Sequence, residues 1–584
     1  MGGVGGDLQR IENRALAPNV APQASDTPVI PALVPQVPPE TAAKADTEVP
    51  RVIGSIGIAG DLAFADEMGI KAKLESALVD GQPKTRQEIQ KPMRDIYNLF
   101  ISNGCYLARI TLPRNPYSEE TKKLTVLVEA GLFGEIKIKF PDDREDGRWF
   151  SREQIAKRFK NMEKGETFKY KTLYDKLSEI NGHPDLTLNT TIRVRKEIEG
   201  TNETHRVVRY ADLDFEAKES FPLHVVFDIN NYGTESVGEW QAALTVQYLN
   251  LTKADDVLTF SPAMSLDASL LSLAGSYVRP HDIWKGGETT LYGGWSELNS
   301  EDIVPGVDLM GQGWFAGLVH SYKLIDDEDR LVSLSAGLAY RYFEDQLALR
   351  NTAQKPRTST VLPLSVALSY SARKPDFLDG RNFATAQFIY NTVAGGSSSL
   401  QRWNDGTDDN YMIGRLQLAR IQPVFGTRSP TEKQIHQWIL FLKAEGQYAS
   451  CPLIPAEQLA LGGYNTVRGY TTRGFSGDNG IYGTVEFRTP VLLDLVSRTL
   501  GRTSTRNPLD RIQFITFMDA GYLETIDPVS GADASEMLMS AGAGMRIAMT
   551  KYSQLRLDAG IPLLSVERDD SSSAAYYLAW QMQF

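Results

Sequence analysis

From Leu223 to the C-terminus the chain keeps a hydrophobic period of two. Leu223, Val225, Phe227 and Ile229 alternate with His224, Asp228 and Asn230. Val332, Leu334, Ala336, Leu338 and Tyr340 alternate with Ser333, Ser335, Gly337 and Arg341, and Leu555, Leu557, Ala559 and Ile561 with Arg556, Asp558 and Gly560. Successive side chains of a strand point to opposite faces, so each run is a strand with one apolar and one polar face. A soluble sandwich or propeller alternates as well. Here, however, the apolar face is nearly free of charge and Tyr and Trp stand at strand ends, as interfacial belts require. The other face is rich in Gly, Ser, Thr, Gln and charges, which suits a wet lumen. Unpaired backbone groups cost several kcal/mol in lipid, so such strands span a membrane only as a closed barrel. At about 10 residues per strand plus turns, residues 219–584 hold about 16 antiparallel strands. An even number leaves both ends of the barrel on one side.

Ahead of the barrel the period changes. Over residues 51–131 the pattern predicts β-α-α-β-β: strand Arg51–Ala59, helix Glu67–Val79, a helix after the capping box Thr85-Arg86-Gln87-Glu88, then strands Tyr106–Leu112 and Leu124–Val128. Residues 132–218 repeat the order, with a strand at Glu135–Phe140, a second box at Ser151-Arg152-Glu153-Gln154, and a helix marked by Leu173, Leu177 and Ile180. Thr191–Arg195 and Val207–Phe215 close this unit. Residues 17–50 carry eight prolines, at 18, 22, 28, 31, 35, 38, 39 and 50, and read as an extended linker. Before it, Asp7–Leu16 reads as a short helix with Leu8, Ile11 and Ala15 on one face.

Bulk properties narrow the function. The 584 residues carry a net charge of -12, which argues against a nucleic-acid partner. No apolar run reaches the length of a transmembrane helix, a test that barrels escape. No signal peptide is visible, so Met1 is read as a mature or engineered start. Two cysteines, Cys105 and Cys451, are too few for a disulfide framework and are expected to be separate buried thiols. There is no G-x-S-x-G, no H-E-x-x-H and no Walker loop, and the six histidines are scattered. No catalytic residue, metal or cofactor is therefore expected.

One loop stands out. About thirty residues separate the strands Trp438–Tyr448 and Ile481–Thr489, far beyond a hairpin's usual 2–5. The loop contains Val467-Arg468-Gly469-Tyr470, and fifty residues on a strand carries Phe517-Met518-Asp519-Ala520-Gly521. An arginine turned into a barrel needs an acidic partner, because a desolvated charge is costly alone. Glu486 and Arg488 share the inward face of the strand between, which ends at Pro490. The last strand runs to Phe584.

These motifs, in this order, resemble the signature of the outer-membrane transporters that include BamA and the TpsB proteins of two-partner secretion. The resemblance implies that the loop 451–480 folds into the barrel, with Val467, Arg468, Gly469 and Tyr470 meeting Phe517, Asp519, Gly521 and Glu486. It identifies the two α/β units as POTRA domains in the periplasm. It also gives Phe227-Asp228-Ile229-Asn230-Asn231-Tyr232-Gly233 the look of a TpsB first barrel hairpin, one residue longer than usual. The implied function is a monomeric outer-membrane pore, embedded in lipid, that captures an unfolded exoprotein (a TpsA-like passenger) and passes it outward without ATP. Capture is expected by strand addition at the POTRA edges around Ile110 and Ile192. The Asp7–Leu16 helix would plug the pore at rest. The alternatives are a BamA- or TamA-like insertase, which usually carries three or more POTRA domains where two fit here, and a passive porin or adhesive barrel.

Overall fold

The computed structural model describes residues 50–584, apart from 114, 143–146, 161, 200–205, 235–236, 282–285, 305–306, 328, 350–351, 354–355, 394–407, 409, 426–436, 491–511, 529–532, 551 and 567–573. The Asp7–Leu16 helix and the linker at 17–49 lie outside the described residues. The described chain falls into two compact units, 50–222 and 223–584.

The first unit holds two small sheets. In one, Ser55–Gly60 runs parallel to Lys123–Glu129, which pairs antiparallel with Arg109–Thr111. Helices Leu62–Glu67, Ile70–Leu78 and Arg86–Ser102 pack on it through Phe64, Leu74, Ile96 and Phe100. The helix expected over Glu67–Val79 forms as Ile70–Leu78, and a short helix that was not expected precedes it. That first helix starts where the Asp61 carboxylate accepts from the Phe64 N–H, and Gly69, whose φ is 62°, separates the two. The strand expected over Arg51–Ala59 is also divided, with Arg51–Val52 pairing instead with Pro83–Lys84. The capping box at Thr85 and Glu88 forms as expected.

In the second sheet, Arg206–Glu219 lies centrally, parallel to Gly131–Lys139 and antiparallel to Leu186–Glu199. The two closing strands are far longer than the short segments expected. Helices Arg152–Lys157 and Tyr170–Asn181 cover a core built on Phe150, Phe159, Leu173, Leu177 and Phe215. Asn181 fixes the turn between helix and strand: its amide accepts from the Leu188 N–H at 2.7 Å and donates to the Leu188 carbonyl at 3.2 Å. The expected edge residues do lie on edges. Ile110 is on Arg109–Thr111 and Ile192 on Leu186–Glu199, each strand flanking its sheet with its isoleucine against the core.

A bulge between Phe133 and Ile136 shifts the register of the Gly131–Lys139 strand and leaves the Glu135 N–H off the ladder. Asp212 fills the gap, accepting from Glu135 N–H at 2.9 Å and from Arg195 Nε at 2.9 Å. The Arg195 guanidinium, with that N–H, holds the Asp212 carboxyl below the usual carboxylate range. A Cβ on Gly134 would lie 2.1 Å from Asp212 Oδ1. A depressed folded-state pKa gives stability that is present above the unfolded pKa and lost as pH falls through the folded one. The unit 50–222 is therefore expected to lose stability to urea below about pH 4, with Asp212→Asn flattening that loss and Gly134→Ala lowering stability at neutral pH. An unchanged urea midpoint for both variants across this range would refute this account of the bulge.

The second unit is a closed antiparallel barrel of sixteen strands. They are β1 Leu223–Asn230, β2 Gln241–Leu249, β3 Val257–Ser265, β4 Leu270–His281, β5 Gly287–Val304 and β6 Val307–Asp326. Next come β7 Arg330–Leu349, β8 Arg357–Ala372, β9 Arg381–Val393, β10 Asn410–Phe425 and β11 Trp438–Ala449. The last are β12 Asn479–Arg488, β13 Ile512–Glu524, β14 Ser535–Thr550, β15 Ser553–Pro562 and β16 Ala575–Gln583. Leu273, Leu318, Leu334, Leu364, Leu418 and Met518 stand exposed on the outer face and form an apolar belt. β1 pairs with β16, so no edge is left open. Because strand directions alternate, the β11–β12 loop lies at the end of the barrel opposite Leu223 and Phe584.

Candidate functional site

The β11–β12 loop turns back into the lumen. Within it Leu459–Leu461 pairs with Phe475–Gly477, and the reversal between them needs Gly462 and Gly463 at φ 103° and 87°. A Cβ on Gly462 would sit 2.1 Å from the Thr471 carbonyl oxygen. Leu461, Val467, Tyr470 and Phe475 then form a buried cluster with Tyr482, Leu523 and Leu538 of the wall. Deeper, Gly469 at φ 99° lies on Gly560 of β15, so close that a Cβ on Gly560 would be 2.9 Å from the Arg468 carbonyl carbon.

That approach delivers Arg468 to a site prepared by β12 and β13. Their register sets Glu486 opposite Phe517 and Thr484 opposite Asp519, all on the inner face. Arg468 Nε donates to Asp519 Oδ2 at 2.7 Å and Nη2 to Asp519 Oδ1 at 2.8 Å, a bidentate pair. Its backbone N–H reaches the same carboxylate at 3.1 Å. Nη1 donates to Glu486 Oε1 at 2.9 Å, and Arg488 holds the other oxygen of Glu486 at 2.7 Å. The guanidinium carbon sits 3.4 Å from the centre of the Phe517 ring. Arg468 is 3% exposed and Asp519 0%. Two arginines and two carboxylates balance, so burial traps no net charge, and each carboxylate has partners for both oxygens.

The neighbouring motif residues hold the backbone. Gly469 N–H donates to the Tyr577 hydroxyl at 2.9 Å, tying the loop to the final strand. The Tyr470 hydroxyl lies 2.8 Å from the carbonyl oxygens of Met539 and Leu564, where the β14–β15 ladder ends. Gly521 and Gly542 make room. A Cβ on Gly521 would meet Leu461 at 2.5 Å and one on Gly542 would meet the Phe517 ring at 2.2 Å. The Gly542-Ala543-Gly544 run thus has a packing reason.

Sequence reasoning missed a second set of contacts. Glu457 is fully buried and accepts from Arg341 Nη1 at 2.5 Å, with Arg415 at 3.7 Å from its other oxygen. Asp478, also fully buried, accepts from the N–H groups of Leu453 and Ile526, both at 2.8 Å, and so fixes both ends of the loop. Tyr464 stacks on Tyr232 of the β1–β2 loop with ring centres 3.9 Å apart. Arg546 pairs with Asp558 at 2.7 Å. Apart from Tyr232, which belongs to the hairpin motif at 227–233, none of these residues sits in a recognisable motif. Only the acidic step Gly477-Asp478-Asn479 just before β12 hinted at a turn that needs side-chain acceptors.

Comparison with known proteins decides the family. The profile of the haemolysin secretion/activation protein ShlB/FhaC/HecB family matches residues 209–547, more than half of the chain. The chain belongs to the ShlB/FhaC/HecB family. The haemolysin transporter protein ShlB of Serratia marcescens is 25% identical over 403 residues, 68% of this chain and 65% of the relative, so the match spans less than two thirds of that protein. Among solved structures, CdiB from Escherichia coli superposes with a TM-score of 0.63 at 17% identity, covering 99% of this chain and 96% of that one. BamA from Haemophilus ducreyi lacking POTRA domains 1-3 gives 0.55 at 13%, covering 91% and 100%. These likenesses establish the fold. As in the rest of the family, the barrel sits in the outer membrane with the POTRA domains in the periplasm.

Removing the shared cation would leave two buried carboxylates without it, at a cost on the order of 3–5 kcal/mol. Arg468→Ala is expected to make loop 450–478 cleavable by protease in outer-membrane fragments, while the barrel keeps its heat-modifiable mobility on gels. Arg468→Lys, which keeps charge but loses the bidentate fork, should fall between. Equal protection of the loop in all three proteins would show that this pair does not hold it.

Proposed function

We propose that the chain is a TpsB-type pore of two-partner secretion: it receives an unfolded exoprotein in the periplasm and passes it through the barrel to the cell surface without ATP. The observation that carries this reading is the long β11–β12 loop, seated in the lumen by Arg468 between Asp519 and Glu486, in a chain of the ShlB/FhaC/HecB family. A loop fixed so deeply narrows the lumen and gives the barrel a movable element that a passive porin does not need. Nothing in the sequence offers a nucleotide site, so folding of the passenger outside would supply direction. The partner is a TpsA-like passenger. The pore works as a monomer, since the barrel is closed by its own first and last strands.

The insertase reading draws on the likeness to BamA. Its weakness is the seam. β1 and β16 pair from Val226↔Gln583 to Asn230↔Ala579, and Phe584 N–H adds a bond to the Val225 carbonyl at 2.8 Å. A seam bonded along its length is a poor place to feed new strands into the membrane.

Co-expression with a TpsA-like exoprotein tests the function. Secretion to the medium is expected, with Arg468→Ala lowering it more than it lowers the amount of barrel in the membrane. Loss of other outer-membrane barrels on depletion, with secretion intact, would favour the insertase.

Capture is proposed to run along POTRA edges. Arg109–Thr111 and Leu186–Glu199 each flank a sheet, and an extended passenger can supply the missing strand. The acidic balance of the chain offers little steering by charge. Binding of the passenger's amino-terminal domain is expected to depend weakly on salt and to fall with Ile110→Pro or Ile192→Pro. Affinity that collapses between low and physiological salt, together with normal binding by folded proline variants, would mean that recognition is electrostatic.

A further inference from the structure

The two sides of the lumen differ in chemistry. The Arg468 half of the loop and its ion pairs lie against the side built from β11 to β15, where Lys443, Glu445, Glu486, Arg488, Asp519 and Arg546 face inward, while the first half, with Leu453, Ile454 and Glu457, packs at the outer end of β7 to β10. Across from them, the inward positions of β7 from Leu331 to Ala339, of β8 from Val361 to Ser371 and of β9 from Phe383 to Asn391 carry no charge. They carry hydroxyls and amides in register. Ser333 stands opposite Ser369, Ser369 opposite Thr385 and Thr385 opposite Gln417. Leu334, Leu338, Leu364, Leu368 and Phe388 take the outer face of the same strands.

The hydroxyl contacts on this wall are long: 3.2 Å between Ser369 and Thr385, and 3.4 Å from Ser335 Oγ to the Ala367 carbonyl. At the outer end of the wall the bonding fails altogether. Asn391 is fully buried, yet neither its Nδ2 nor its Oδ1 has a partner, and the buried hydroxyl of Tyr411 directly opposite has none either. Buried polar groups are normally bonded, so a donor and an acceptor left idle side by side point to a missing partner. A carboxamide donates and accepts at once, which matches one peptide unit. This chain already uses asparagine so. Asn181 binds both backbone groups of Leu188, and Asn231 accepts from Leu578 N–H at 2.7 Å while donating to the Tyr576 carbonyl at 2.9 Å.

We propose that the β7–β9 wall is the surface along which an extended polypeptide crosses the barrel, and that Asn391, with Tyr411, binds its backbone at the outer end once residues 453–456 of the loop, which pack there, move aside. The inference rests on the pore reading above and assigns the route within it. A chain in transit must exchange partners at every step. Neutral hydroxyls bind peptide groups weakly and interchangeably, whereas charged groups bind more strongly and would trap side chains of opposite sign. The charged side of the lumen is left to the Arg468 half of the loop.

The test uses the full chain with Cys105→Ala and Cys451→Ala, reconstituted in planar bilayers and in liposomes. The probe is an unstructured Gly/Ser/Asn polypeptide of about forty residues with one cysteine, long enough when extended to span a barrel. It is added from the POTRA side. Under mild oxidation, disulfide adducts are expected with Ser335→Cys, Ser369→Cys and Thr385→Cys, and not with Arg556→Cys on the charged side. In single-channel records, Asn391→Leu is expected to shorten the blockades made by the same probe about three- to tenfold, the loss of one or two neutral hydrogen bonds, at unchanged open conductance. A purely structural Asn391 would leave the blockade times unchanged, and that result overturns its role. Adducts at Arg556→Cys equal to those on β7–β9 overturn the route while the pore reading stands. Adducts at no position, with exoprotein still secreted by cells, likewise overturn the route alone, and loss of secretion by the unaltered chain overturns the pore reading with it.

Discussion

Closure of the β1–β16 seam is the constraint from which the rest of the second unit follows. In hydrocarbon every peptide group needs a partner within the protein, and an open sheet would leave two edges without one. The seam meets this with five paired positions, and it is extended at both ends. Phe584 bonds to Val225 at one end, and at the other Asn231 uses its side chain to continue the ladder onto Tyr576 and Leu578. Closure fixes which face of every strand is inside. Only then do Glu486, Phe517 and Asp519 converge, because each lies on the inner face of its strand and their register is set by the ladder. The terminal strand also supplies Tyr577, whose hydroxyl takes the Gly469 N–H. The loop is thus held in part by the final strand, and a barrel lacking β16 would lack part of the loop's seat.

Inside, the loop is held by two different kinds of force. Its second half, around Arg468, is fixed by charge-assisted bonds of 2.7 to 2.9 Å in a network with no net charge. Its first half is fixed chiefly by apolar packing. Leu453, Ile454 and Ala456 belong to one buried cluster with Phe343, Val361, Ile389, Tyr411 and Ile413 of the wall. Polar anchors there are few: Glu457 to Arg341, and Asp478 to the Leu453 N–H. Arginine forks impose geometry, while apolar contacts tolerate sliding. The cluster also encloses the idle amide of Asn391, which makes this the less settled half.

Much of this was legible in the residues. Period-two alternation fixed the barrel, and chain length with strand length set its count near 16, because hydrocarbon thickness leaves little freedom in either. Arg468 and Asp519 were readable because burial of one charge demands another, so a motif on a long loop points to its partner. The POTRA helices were readable in kind and less so in extent. One break depends on Gly69 taking a positive φ, and the long closing pair Leu186–Glu199 and Arg206–Glu219 carries its alternation on through Leu186, Leu188 and Ala217, beyond the short runs expected. Glu457 and Asp478 were illegible for another reason. Arg341 lies on β7, 116 residues before Glu457, and Leu453 and Ile526 meet Asp478 because the pairing of β11, β12 and β13 sets the ends of these strands side by side.

The Asp478 carboxylate shows how little polar chemistry is needed to fold a long loop inward once closure is given. Its two oxygens take the Leu453 and Ile526 N–H groups and the Gln458 side chain, groups that the departure of the chain from β11 and β13 would otherwise leave orphaned. Gln447 does the same for the carbonyls of Glu457 and Asp478, at 3.0 and 3.1 Å. A loop exposed to solvent would find water for these groups. A loop turned into a tight lumen must find protein, since each unmade bond costs about 1–3 kcal/mol. The lumen side chains near the loop base are therefore selected first as backbone partners. The arginine lock adds geometric definition to a loop whose peptide groups are already satisfied, which is why it can concentrate its strength on one residue, Arg468, instead of spreading it along the loop.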